Sequence, residues 1–150
     1  AYHFLHELGS TELVNKDTCS WVCRNQKDIQ VLFWHLQLPF SDPVNFNDSL
    51  FRLNPPPKDA APVTVRLSHV PDGRYELSVY RIGYHHNDAF SAYLEMGSPA
   101  NLSRQQEALL NQAATGAPES RTAVTVTDGQ FSRQFAVKTN DIYLIKLVRV

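Results

Sequence analysis

Thiols, an excess of either charge and long apolar runs are all scarce in this chain, and each scarcity excludes a class of protein. Of 150 residues only Cys19 and Cys23 are cysteines. Four residues apart in a strand, they would lie roughly 13 Å from each other at ~3.3 Å per residue. A disulfide needs Cα atoms within about 7 Å. The pair is therefore expected as two buried small hydrophobes, and the fold has to stand on its own core, which a chain of this length can build. Fourteen basic against fifteen acidic residues leave a net charge of −1, without the basic excess that marks a nucleic-acid or anionic-membrane binder. No stretch is long and apolar enough to span a bilayer, and Ala1-Tyr2-His3 does not open a signal peptide. A first residue other than Met suggests a processed or excised chain.

What is present is mostly strand. Tyr2 to Leu8 has helical spacing of Phe4, Leu5 and Leu8, with Gly9 as its stop. A short strand over 10–14 follows. Thr18 to Arg24 alternates Cys19, Trp21 and Cys23 against Ser20, Val22 and Arg24; after a turn, Ile29 to Gln37 is apolar on both parities, as in a strand covered on both faces. From Leu38 to Ala61 proline, asparagine, aspartate and serine dominate, which predicts a long surface connection with polyproline character. Val63 to Ser68 and Glu76 to Val79 flank Pro71-Asp72-Gly73, and Thr122 to Thr127 and Phe131 to Val137 flank Asp128-Gly129; each pair is expected as a hairpin. Ile142 to Val150 is apolar on both parities and is expected inside a sheet. Seven or eight antiparallel strands predict a mainly β chain folded as a β-sandwich.

Two short helices interrupt this pattern between Leu77 and Gly116. Tyr80-Arg81-Ile82 runs into Gly83-Tyr84-His85-His86-Asn87-Asp88, and Asn87 or Asp88 can cap a helix that Gly97 ends. Phe90, Tyr93 and Leu94 share a face of that helix. The second opens at Ser103 with Gln106 completing a capping box and closes at Gly116 ahead of Pro118.

The order Tyr80-Arg81-Ile82, a loop with His86-Asn87, an aromatic-bearing helix, Met96-Gly97-Ser98-Pro99 and a helix from Ser103 to Leu110 resembles the C-terminal region of glycoside hydrolase family 39, the family of β-xylosidases and α-L-iduronidases. Phe4-Leu5-His6-Glu7-Leu8-Gly9, followed by strands ending in Val31-Leu32-Phe33-Trp34, is similar to that family's exit from its catalytic barrel. The family pattern departs at Tyr93, where tryptophan is common, and leaves the proline-rich stretch unaccounted for. The resemblance implies a helical remnant over 1–9 leading from a (β/α)8 barrel, a β-sandwich accessory domain over 10–150, and the barrel of the same parent chain as its partner. It also implies that the catalytic glutamates belong to the barrel, which would precede Ala1.

The residues themselves agree. A retaining glycosidase needs two carboxyl groups about 5 Å apart, and the acids here fall in turns, on short helices and in loops. Asp72, Asp128 and Asp141 all read as turn residues, so no catalytic residue is assigned. His85 and His86 beside Asp88 lack a third fixed ligand and are expected as hydrogen-bonded structure rather than a metal site; no cofactor is expected. Asn47-Asp48-Ser49 and Asn101-Leu102-Ser103 match the glycosylation sequon. Two functional candidates remain. Tyr84, His85, His86 and Asn87 form a loop expected to face the barrel or its cleft, and Trp21 is the candidate for stacking on a sugar such as a xylo-oligosaccharide. A stand-alone carbohydrate-binding module and a structural interaction domain are the alternative readings.

Overall fold

The structure, a computed structural model, describes residues 2–37 and 56–150. The expected proline-rich connection, apart from 56–61, and the Asn47 sequon lie outside them. Eight strands are described: β1 (Thr11–Leu13), β2 (Ser20–Arg24), β3 (Asp28–Trp34), β4 (Val63–Ser68), β5 (Gly73–Ile82), β6 (Ser120–Val126), β7 (Gln130–Phe135) and β8 (Ile142–Arg149). Three helices accompany them: α1 (Tyr2–His6), α2 (Ala89–Glu95) and α3 (Arg104–Ala113). The strands form a six-stranded sheet in the order β1-β2-β3-β8-β5-β6 and a two-stranded sheet β4-β7, antiparallel throughout. This is the expected β-sandwich with two inserted helices.

Both expected hairpins are corners instead. β4 pairs with β7 and β5 with β6 and β8, so each turn carries the chain from one sheet to the other. At Asp128-Gly129 the turn itself is as expected: both residues have positive φ, 55° and 67°, and Thr127 bridges Gln130. Beyond that bridge the strands part, and Val126 and Phe131 enter one core from opposite sheets. The two corners are tied together, since Val70 N–H donates to the Gly129 carbonyl (3.1 Å) and Gly129 N–H to Asp72 Oδ1 (2.8 Å). Alternation sets which side chains point inward, but it is the same whichever strand lies alongside.

Residues directly opposite in antiparallel pairs share a face. Val22, Val31, Ile145 and Val79 form one such row, pointing at Val65, Phe131 and Phe135 of the small sheet. Phe33 stacks on Tyr143 with centroids 5.0 Å apart. The next row, Trp21, Leu32, Leu144 and Tyr80, points the other way, which explains why β3 and β8 are apolar on both parities.

That outer face is covered in part by α1. Five residues cannot hold a helix in water, and here tertiary contacts do so. Phe4 is 1% exposed, packed on Leu32 and Leu144 and edge-on to Tyr80, a burial that contributes about 1.5–3 kcal/mol. Lys146 is ion-paired with Glu7, which holds the Glu7 carboxyl below its ordinary pKa. Gly9 N–H donates to Oε1 of the buried Gln30 (3.1 Å), and a Cβ at Gly9 would collide with the Arg24 carbonyl. Leu8 is half-buried, whereas Leu5 is 44% exposed.

One thiol departs from expectation. Cys23 is buried, and burial pushes its thiol pKa up; Cys19 is exposed, because the strand starts only at Ser20 and Cys19 sits in a turn where its N–H meets Asp17 Oδ1.

Candidate functional site

The loop after β5 is a tight reversal held from both sides. Gly83 and His86 exchange backbone hydrogen bonds of 3.0 and 2.8 Å, leaving Tyr84 and His85 at the tip. His85 has φ 60° and Asn87 φ 48°, left-handed positions that His and Asn tolerate better than most residues. The tip rings are edge to face, centroids 4.1 Å apart, and His85 Nε2 lies 3.1 Å from Glu95 on α2. Asp88 caps α2 by accepting from Phe90 and Ser91 N–H.

Asn87 clamps this loop to the far end of the helical insertion. Its Nδ2 donates to the carbonyls of Arg81 (2.9 Å) and Ala117 (3.3 Å), while Oδ1 accepts from Gly116 N–H (2.9 Å). Residues 84–87 thus join one structured element, and His86 is its link to the sandwich interior.

Beneath His86 lies a charge cluster at the end of the core. Arg81 follows Leu77 and Val79 on the inward parity of β5, and its side chain is only 11% exposed. One guanidinium nitrogen lies 2.8 Å from Asp141 Oδ2, and the other lies 3.1 Å from His86 Nε2 and 3.7 Å from Glu119. A guanidinium only donates, so His86 Nε2 must accept and the ring proton belongs on Nδ1, which faces Glu119 at 3.8 Å. Asp141 Oδ2 also accepts from Lys138 N–H (2.8 Å). A Cβ at Gly83 would collide with Asp141 Oδ1, so the loop closes over the carboxylate only because residue 83 is glycine. Arg81 also lies over the Tyr143 ring, 5.6 Å from its centroid. Burial pushes the Tyr143 pKa up to about 12, with Asp141 and Glu119 adding to the rise and Arg81 opposing it.

Asp141 is therefore no solvated turn residue; it is fully buried. Neither it nor Glu119 was picked out by sequence pattern, although an arginine on the inward parity of a core strand calls for a buried acid. The cluster offers no glycosidase chemistry, since Asp141 is fully buried against Arg81 and closed to any substrate. Among the described residues no three His, Cys, Asp or Glu side chains converge on a metal position. Trp21 stands apart, on the outer face opposite Leu32, 42% exposed with Nε1–H donating to Glu12 (2.8 Å).

No family model matches the chain, and no curated protein matches it. Solved structures do. A glycoside hydrolase family 39 enzyme from Xanthomonas axonopodis pv. citri aligns with 99% of this chain at 33% identity and a TM-score of 0.89. A monomeric β-xylosidase from Caulobacter crescentus aligns with 99% at 32% identity and 0.88. A bacterial orthologue of human α-L-iduronidase, 15% identical with a TM-score of 0.68, shares the fold. The chain spans only 29%, 30% and 26% of these three proteins' own chains.

Proposed function

Because this chain carries the β-sandwich region of glycoside hydrolase family 39, we propose that it is a non-catalytic accessory domain that buttresses a catalytic barrel in the same polypeptide. One observation carries the reading: nearly the whole chain aligns with under a third of a glycosidase, so the chemistry of such an enzyme has ample sequence elsewhere. The parent's activity, on this reading, is that of a retaining exo-glycosidase of the β-xylosidase type. The loop 83–88, fixed in one shape by Asn87 and the Gly83–His86 bridge, is suited to orient groups on the barrel's surface or cleft without reacting itself.

The barrel's seat would be the outer face of the six-stranded sheet around α1. There Tyr2 (84%), Leu5 (44%) and Trp21 (42%) are exposed next to the buried Phe4 cluster, more apolar surface than a finished face needs. On this reading Trp21 meets protein rather than sugar. Amide exchange of 2–8 and 19–23 should slow at least tenfold when the chain is joined to its barrel, compared with the chain alone. Equal rates would remove the outer face as the seat.

A further inference from the structure

At the opposite edge from the charge cluster, β1, the β2–β3 turn and the β4–β5 corner enclose a groove of about 1860 Å³. Its walls carry Lys16, Arg24, Lys27, Arg66 and Arg149, all exposed. Two acids share the lining, Asp17 and Asp28. Asp17 is engaged locally, accepting from Cys19 N–H (2.9 Å) and Ser20 Oγ (2.7 Å). Arg149 donates to the Asp72 backbone carbonyl (2.8 Å), which leaves its charge uncompensated. Among the described residues none of the five cations belongs to an ion pair; Arg81, Lys138 and Lys146 elsewhere do, and the remaining unpaired cations, Lys58, Arg74, Arg104, Arg121 and Arg133, lie outside the groove.

A chain of net charge −1 thus concentrates unpaired positive charge in one concave place. Low-dielectric walls focus such a field onto an anion. The lining is also rich in short amide and hydroxyl side chains, Ser10, Asn15, Asn25 and Ser68 among them, which suit hydroxyl-bearing ligands. We propose that this groove binds an acidic saccharide chain, its carboxylates or sulfates set between the cations and its hydroxyls against the amides. The choice of saccharide over another polyanion rests on the accessory-domain reading above; the positive groove itself does not.

The test is calorimetric titration of the chain with three oligosaccharides of equal length: oligogalacturonate, a heparin fragment and neutral xylohexaose, with a single-stranded oligonucleotide of matched charge as a fourth. Expected is binding of one or both acidic oligosaccharides that weakens at least tenfold between 50 and 300 mM salt, roughly as release of several counterions requires, and little binding of xylohexaose. Galacturonate against heparin distinguishes carboxylate from sulfate. The double variant Arg24→Gln/Arg66→Gln should weaken acidic binding at least tenfold with an unchanged melting temperature, whereas Arg121→Gln, outside the groove, should change nothing. Failure of both acidic ligands, equal affinity for xylohexaose, tighter binding of the oligonucleotide, or indifference to the double variant would each overturn the proposal. None of these outcomes bears on whether the chain is catalytic, so the accessory reading stands or falls separately.

Discussion

Asp141→Ala is expected to be the most damaging single change in the molecule, lowering stability by about 3–5 kcal/mol because it strands a buried guanidinium without its counter-charge. Asp141 is fully buried, Arg81 is 11% exposed, and the two meet at 2.8 Å. Glu119, at 3.7 Å and 40% exposed, is too far and too wet to take over. For a chain of this size the loss corresponds to a melting temperature lower by roughly 10 °C. The companion variant Arg81→Met should be nearly as harmful, since it leaves the carboxylate alone. The double variant Arg81→Met/Asp141→Ala should recover much of the loss, because removing both charges removes the desolvation cost with them. Thermal or urea unfolding of the four proteins checks this. Additive losses would mean that the two side chains do not act as a pair.

The second large effect is expected at Asn87. Asn87→Ala removes three hydrogen bonds, to Arg81, Ala117 and Gly116, and places a Cβ-bearing residue without a compensating side chain at φ 48°. At about 0.5–1 kcal/mol per bond, the lower part of the usual range because the Ala117 bond is exposed, and about 1 kcal/mol for the backbone, the cost is on the order of 2.5–4 kcal/mol. Asn87→Gly separates the two contributions, as it keeps the conformation and loses only the bonds. It should be less harmful than alanine by about 1 kcal/mol. In an intact parent enzyme both variants should also lower kcat/KM if the loop reaches the cleft. Wild-type unfolding of both variants would show that the loop is not held by this side chain.

Much of this architecture was legible in the residues because it is local. The caps at Asp88 and Ser103–Gln106 and the left-handed turn at Asp128-Gly129 are chemistry within a few positions, and each stands where the sequence puts it. The two-sided burial of β3 and β8 followed from apolar residues on both parities. Strand partnership is non-local, and there pattern misled: Pro71-Asp72-Gly73 and Asp128-Gly129 look like hairpin turns, yet the strands they join diverge into different sheets. The Arg81–Asp141 pair was hidden for the same reason, since sixty positions of chain separate residues that the β5–β8 ladder brings together. The tight shape of loop 84–87 was legible in its polar residues between two well-punctuated elements. The groove was invisible beforehand because its cations come from four separate segments, and only the fold collects them.

The proposal above is that this chain supports a glycosidase without being one. Its most direct test is to incubate the purified 150-residue chain with nitrophenyl β-xyloside and with an iduronide substrate and to follow product release against buffer. No turnover is expected, because on the accessory-domain proposal the catalytic carboxyls would belong to a barrel, and the buried Asp141 cannot meet a sugar. Release that rises with chain concentration and survives repurification would contradict it.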